Sequence, residues 1–304
     1  GRPAGGTRGS ERRRLSAVHE VLAAAAARLA PALGLEAESA RIEARSLLSY
    51  LLGRDRSWLA AHGRDPLPPA DEAAFEALLA RRRAGEPVAY ITGWREFYGL
   101  DFQVTPAVLI PRPETELLVD LALERLPAHE LRRVLDLGTG SGCVAIAIAA
   151  HRPLAEVTAV DASEAALAVA RENASRLLPQ SRRDAAISFQ RSDWFSALKH
   201  ERFDLIVSNP PYVAEGDPHL EQGDLPFEPR SALAAGADGL DGIRHIVSEA
   251  PAHLDAGGWL LFEHGYDQAA ACRNLLRVAG LQETGSFRDL AGIERVSGAR
   301  RLTP

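Results

Sequence analysis

Methionine is absent from this 304-residue chain. Residue 1 is therefore expected not to be the translation start, and residues 1–13, which open on a Gly- and Arg-rich stretch, are expected to be a disordered tail. Cysteine is nearly absent, with Cys143 and Cys272 alone. Two cysteines build neither a disulfide framework nor a ligand cluster, so no metal is expected. Cys143 lies inside an apolar run and reads as a small core residue. A reducing cytoplasm is the simplest compartment for such a chain. No apolar run approaches ~18 residues, so no transmembrane helix and no membrane partner are expected. The Ala-rich stretch from Leu22 to Ala30 is interrupted by Arg28 and reads as a helix, not as a signal-peptide core.

What is present is ordinary for a globular protein: 46% hydrophobic and 25% charged residues, in a length that suits one large or two ordinary domains. The net charge of −6 is unevenly spread. Residues 1–86 hold 14 Lys+Arg against 11 Asp+Glu, a net of +3, which leaves 21 against 30, a net of −9, for the rest. That acidic larger part is poorly equipped to grip a phosphate backbone, so a nucleic acid is not the expected substrate.

The pattern along the chain divides it. Residues 14–86 read as a small helical bundle. Leu15, Val18, Leu22 and Leu29 recur at helical spacing, and Ile42, Leu47, Leu48, Leu51 and Leu52 form a second apolar run closed by Gly53. After a break at Pro66–Pro69, Asp71–Arg83 forms a third, whose last three arginines read first as solvated charges compensating the helix dipole, with contact to a partner as the alternative. Residues 87–110 read as a β-hairpin linker turning at Gly99. Residues 111–304 read as an α/β domain, with Pro113 as the first residue of a helix running to about Leu126. From Arg132 onward strands and helices alternate, which specifies a mostly parallel sheet covered on both faces. The last two strands, near Leu281–Thr284 and Ile293–Val296, leave little room for a helix between them and predict an antiparallel edge strand.

The segment Ser208-Asn209-Pro210-Pro211-Tyr212 follows the buried strand pattern Phe203–Val207. Asn209 is thus placed where a central strand gives way to a loop, the edge at which open α/β sheets bind ligands. Two successive prolines fix two φ angles and push Asn209 to an extended conformation. Such a stiff segment suits methyl transfer to a conjugated NH2 group, whose delocalised lone pair makes it a poor nucleophile. The Asn209 side-chain oxygen and the Pro210 carbonyl would each accept one N–H and aim the lone pair at the methyl. Tyr212 would pack on the acceptor group and feel the nearby sulfonium, worth roughly 0.5–2 kcal/mol. The rate would come from positioning and aimed dipoles rather than from a strong base. The plainer reading is a Pro-rich turn.

A second motif, Asp136-Leu137-Gly138-Thr139-Gly140-Ser141-Gly142, lies between the first strand of this domain and its helix. Gly138, Gly140 and Gly142 permit a tight turn and a close ligand, a feature shared with dinucleotide-binding enzymes. Asp161 ends the next strand, where a carboxylate can hold both hydroxyls of a ribose. It can also cap the following helix, a role for which Ser163 competes. Trp194 could cover one face of an adenine and Asp193 could accept from its exocyclic amine, although a buried Trp is often simply core.

Glycine loop, ribose acid and Asn-Pro-Pro-Tyr together resemble class I S-adenosylmethionine-dependent methyltransferases that act on amino nitrogens. Arg83–Pro87, Arg95–Phe97, Ile110–Glu116, Ser192–Leu198, Phe227–Pro229 and Phe262–Gly265 extend the resemblance to the bacterial release-factor glutamine methyltransferases, the HemK/PrmC family. The resemblance implies a Rossmann-like sheet, and methyl transfer to the glutamine amide in the Gly-Gly-Gln loop of a peptide chain release factor. S-adenosyl-L-methionine, leaving as S-adenosyl-L-homocysteine, would be held by Gly138, Thr139, Gly140, Ser141, Gly142, Asp161, Asp193, Trp194 and Asn209. Asn209, Pro210, Pro211 and Tyr212 would hold the glutamine amide, with Asn209, Pro210 and Tyr212 catalytic. The N-terminal helices would contact the release factor body, and Arg112–Glu116 would shape the site. A nucleic-acid adenine methyltransferase using the same tetrapeptide on a flipped base stays open at this point, as does a non-catalytic Rossmann-type nucleotide-binding module.

Overall fold

In a computed structural model, residues 16–180 and 187–302 are described. The expected tail at 1–13, and Leu15 at the head of the first apolar run, lie outside them. The chain divides into two compact units between Thr92 and Gly93.

The first unit is helical, with helices at Val18–Leu33, Ala37–Leu52, Arg56–Ala61, Pro69–Arg83 and Val88–Thr92. Leu29, Leu47, Leu48, Phe75 and Leu79 are fully buried at its centre, as their spacing requires. Ile42 shares their sequence run but turns outward, 44% exposed. The short helix Arg56–Ala61 has too few turns to show a period, and is set by Asp55, whose side chain accepts from the Trp58 N–H at 2.7 Å. The three closing arginines are not all solvated. Arg82 is buried, forks onto Glu43 at 2.8 and 3.1 Å and donates to the Gly85 and Glu86 carbonyls, while Arg81 pairs with Glu86. Val88–Thr92, inside the stretch read as hairpin linker, is helical instead, because Ile91 packs into this core.

The second unit opens with the hairpin, β1 (Trp94–Phe97) and β2 (Leu100–Gln103), which turns at Tyr98 and Gly99, both at positive φ. The Tyr98 hydroxyl donates to Asp120 at 2.6 Å and its N–H to Glu116 at 2.9 Å, fastening the turn to the helix Glu116–Arg125. A short 3-10 turn, Pro113–Thr115, precedes that helix.

Seven strands form the main sheet: β3 (Arg132–Leu137), β4 (Ala155–Asp161), β5 (Ile187–Arg191), β6 (Phe203–Ser208), β7 (Leu254–Glu263), β8 (Gln282–Arg288) and β9 (Glu294–Arg300). Their order is β5-β4-β3-β6-β7-β9-β8. The first five run parallel, and β9 is antiparallel to both β7 and β8. The antiparallel strand thus sits one place in from the edge that β8 forms. Successive residues of β3 and β6 feed opposite cores. Val134, Leu205 and Val207 pack with the helices Glu116–Arg125, Cys143–His151 and Glu164–Leu177; Leu135, Leu137 and Ile206 pack with the helices Asp241–His253 and Ala269–Val278. Burial on both faces explains why these strands read as unbroken apolar runs.

Candidate active site

Strand order reverses at β3, which has β4 on one side and β6 on the other. The loops leaving the carboxyl ends of β3, β4, β5 and β6 surround a cavity of about 510 Å³. Topology alone places a ligand site at this edge.

The glycine loop follows β3 directly. Gly138 and Thr139 donate their N–H groups to the Val160 carbonyl on β4, both at 2.9 Å. Below the loop Asp136 is buried, accepts from the Thr139 hydroxyl at 2.6 Å, and is pushed up to about 7 by its removal from water. Asp161, at the end of β4, accepts from Gly140 N–H at 2.9 Å on one carboxylate oxygen and from Ser163 N–H at 2.8 Å on the other. Ser163, not Asp161, caps the next helix, accepting from Ala166 N–H at 3.2 Å. Trp194 follows β5 in the left-handed region at φ 48°, held there by the Ser192 hydroxyl, which donates to its carbonyl at 2.6 Å. Its indole lies against Gly138 and Gly242, where added Cβ atoms would stand 3.9 and 3.4 Å from the ring.

Asn209 leaves β6 half-buried and donates through Nδ2 to the Thr115 hydroxyl oxygen at 3.0 Å. Thr115 donates in turn to Glu263 Oε2 at 2.7 Å, and the Tyr212 hydroxyl donates to Glu263 Oε1 at 3.1 Å. Thr115 and Glu263 are each 1% exposed. Burial pushes the Glu263 carboxyl up to about 7, with its two hydroxyl partners opposing the shift, and burial raises the Tyr212 phenol well above its ordinary range. Nearby, Glu228 is buried, accepts from the Ile110 N–H at 3.0 Å and pairs with the Arg112 guanidinium. Burial still raises it, against the opposing charge of Arg112.

Sequence comparison gives the site a family. Residues 20–93 match the PrmC N-terminal domain and residues 115–223 the methyltransferase small domain. A release factor glutamine methyltransferase of Bordetella pertussis is 56% identical over 259 residues, covering 85% of this chain and 94% of its own. The chain belongs to the release factor glutamine methyltransferase family. A second member, from Burkholderia pseudomallei, is 54% identical over 260 residues, covering 85% of this chain and 91% of its own. The chain is therefore an enzyme, a methyltransferase. Its fold is also that of a solved methyltransferase from Pyrococcus furiosus, with a TM-score of 0.50 at 18% identity over 76% of this chain and 100% of the other.

Within this family member the cavity gathers Gly138, Thr139, Gly140, Ser141, Asp161, Asp193, Trp194, Asn209 and Pro211 from the expected set. Gly142, Pro210 and Tyr212 stand outside its lining. Gly142 serves the packing of the loop on its helices, since at φ 81° an added Cβ would meet Ile146 at 3.0 Å and Ala170 at 3.1 Å. Pro210 is buried. Tyr212, expected to pack on the acceptor, turns its hydroxyl into the wall toward Glu263 and its ring toward the second core. Sequence reading passed over Asp136, Glu228 and Glu263 as site residues and gave Thr115 only a shaping part. The signal that could have found Glu263 was a carboxylate set within an apolar strand run, Leu260-Leu261-Phe262-Glu263.

Proposed function

We propose that this methyltransferase moves a methyl group from S-adenosyl-L-methionine to the side-chain amide nitrogen of the glutamine in the Gly-Gly-Gln loop of a peptide chain release factor, in the cytoplasm. The observation that carries this is the Asn209 amide at the cavity wall, its NH2 end held by Thr115 and its oxygen without a hydrogen bond among the described residues. The names of the close relatives supply the substrate class.

The residues present fit the cofactor. Asp161 spends one lone pair of each carboxylate oxygen on a backbone N–H, leaving both oxygens able to accept from vicinal hydroxyls. Asp193 is exposed and lines the cavity beside the Trp194 indole, an acceptor for an amine next to a wall for a flat ring. When bound, S-adenosyl-L-methionine supplies an electrophilic methyl on a sulfonium and leaves as S-adenosyl-L-homocysteine. Asn209 Oδ1 and the Pro210 carbonyl each take one N–H of the glutamine amide, turning its lone pair to the incoming carbon, and the nitrogen gives up one of those two protons to solvent as it is methylated. Pro210 and Pro211 keep this segment from relaxing. Positioning of this kind reduces the barrier by fixing geometry and aiming dipoles in advance.

The test is transfer of a labelled methyl from S-adenosyl-L-methionine to purified release factor, and to the same factor with its Gly-Gly-Gln glutamine changed to alanine. Label on the first and none on the second is expected. Equal labelling of both would end the glutamine assignment.

A further inference from the structure

Glu263 closes β7, one residue beyond Phe262, which pairs in register with Ser208 at the end of β6. It is therefore built into the sheet beside the strand that presents Asn209, and its carboxylate holds two hydroxyls at once. Above about pH 7, where Glu263 is ionised, its carboxylate only accepts, so both Thr115 and Tyr212 must donate to it. Thr115 has a single hydroxyl proton. Once that proton points to Glu263 Oε2, the oxygen offers Asn209 nothing but lone pairs. Only the NH2 end of the Asn209 amide can then face Thr115, at 3.0 Å. The carbonyl oxygen is left on the other branch of the amide.

We propose that Glu263 is a positioning residue that sets the direction of the Asn209 amide through the Thr115 hydroxyl. The chain of donors runs Asn209 to Thr115 to Glu263, and each link fixes the next. Were Thr115 free to donate, it could hold Oδ1 instead, and the Asn209 NH2 would meet a donor-bearing acceptor group with donors of its own. Burial makes the arrangement effective, since Thr115 and Glu263 are each 1% exposed and solvent competes little for either group. The assignment rests on the methyl-transfer reading above, so its test carries one readout that needs no turnover.

Four variants of the full chain decide it: Thr115→Val, Thr115→Ser, Glu263→Gln and the Thr115→Val/Glu263→Gln double. In the first readout, solvent exchange of the Asn209 side-chain NH2 is followed by NMR, assigned by its loss in Asn209→Ala. Exchange is expected to be at least ~10-fold faster in Thr115→Val and Glu263→Gln than in the native chain, with Thr115→Ser restoring slow exchange. In the second, kcat on release factor is expected to fall ~10–100-fold in Thr115→Val, while its KM and the affinity for S-adenosyl-L-methionine move by less than ~3-fold. Thr115→Ser should recover most of that turnover. The double variant should be no slower than the slower single variant, because both changes cut one chain. Thr115→Ser behaving like Thr115→Val, multiplying losses in the double, or unchanged exchange in Thr115→Val would each overturn the proposal. Should Glu263→Gln fail to fold, the Thr115 pair alone still decides it. Ordered exchange in a native chain that labels no release factor would instead sink the functional reading and leave the positioning role standing.

Discussion

Asn209 and Glu263 illustrate how much at this site depends on single hydrogen atoms. An asparagine side chain is neutral and nearly symmetric in shape, and its value as an acceptor lies wholly in which end faces the substrate. Removing that acceptor in Asn209→Ala should reduce kcat by at least ~100-fold, the usual scale for a lost aimed dipole, with little change in thermal stability because the residue lies in the loop just past β6. Steady-state rates with release factor check this, and near-normal turnover would remove Asn209 from the mechanism. Glu263 makes a separate prediction about stability. Its folded carboxyl is raised to about 7 from 4.5, chiefly by burial, with Thr115, Tyr212 and Arg295 opposing and Glu114 adding to the shift. Between those two values the native state keeps a proton that the unfolded chain has released, so this group lowers stability as pH rises through the window, by roughly 3 kcal/mol at its end. Asp136 acts with the same sign, raised from 3.8 to about 7. Melting curves from pH 4 to pH 8 should therefore show the native chain losing stability relative to Glu263→Gln as pH rises. A constant difference across the range would mean that Glu263 ionises normally.

At the scale of elements, strands were legible in sequence where both sheet faces bury them, because Val134–Leu137 or Phe203–Val207 has few other uses for so many β-branched and large apolar residues. The helix Arg56–Ala61 was not, since one turn and a half displays no period, and neither was Val88–Thr92, whose helicity depends on a distant core. Insertion of β9 between β7 and β8 is likewise a property of pairing, and the chain order gives only its antiparallel sense. For the site, the glycine loop, Asp161 and Asn209 could be read because strand ends are visible in sequence. The partners Thr115 and Glu263 could not be joined to them, since Thr115 stands 94 positions from Asn209 and 148 from Glu263 along the chain. The wall behind Tyr212 shows the same dependence on contacts. Gln268 Nε2 donates to the Tyr212 carbonyl at 3.0 Å, and Gly239, at φ 74°, lies so near that an added Cβ would stand 2.2 Å from that oxygen. Gly239→Ala should cost at least about 2 kcal/mol, combining left-handed strain with a backbone overlap, and should shift Tyr212. Denaturant unfolding measures this, and a neutral effect would show that the loop moves aside without penalty.

Over the whole molecule, the distribution of charge bears on which acceptor is admitted. The segment after Tyr212 carries Glu215, Asp217, Glu221, Asp224 and Glu228 before Arg230. In sequence these form an acidic wall. In the fold Glu228 is turned inward to Arg112, Glu221 lies 3.5 Å from Arg230, and Asp217 pairs with His219 at 2.7 Å. The local barrier to a phosphate backbone is thus weaker than the count of carboxylates implies, and exclusion rests more on the net −9 outside residues 1–86. Duplex DNA and tRNA offered beside release factor should still receive no label, with at most weak, salt-dependent binding. Salt-resistant methylation of either would favour the flipped-base alternative.

The paired prolines have one more consequence, for stoichiometry. Pro210 and Pro211 have no N–H, so the bend after β6 presents its guest with acceptors and no main-chain donor at two successive positions. An unmodified amide has two hydrogens to give Asn209 and the Pro210 carbonyl, whereas a methylated one has a single hydrogen left and strands one of those acceptors. The product is then a worse fit than the substrate by a missing hydrogen bond, on the order of 1 kcal/mol or more, and it crowds the path of the next methyl. The enzyme should stop after one methyl per glutamine even with excess methyl donor. Intact-mass measurement over a long incubation would show a single step, and a second step would mean that this bend does not count hydrogens.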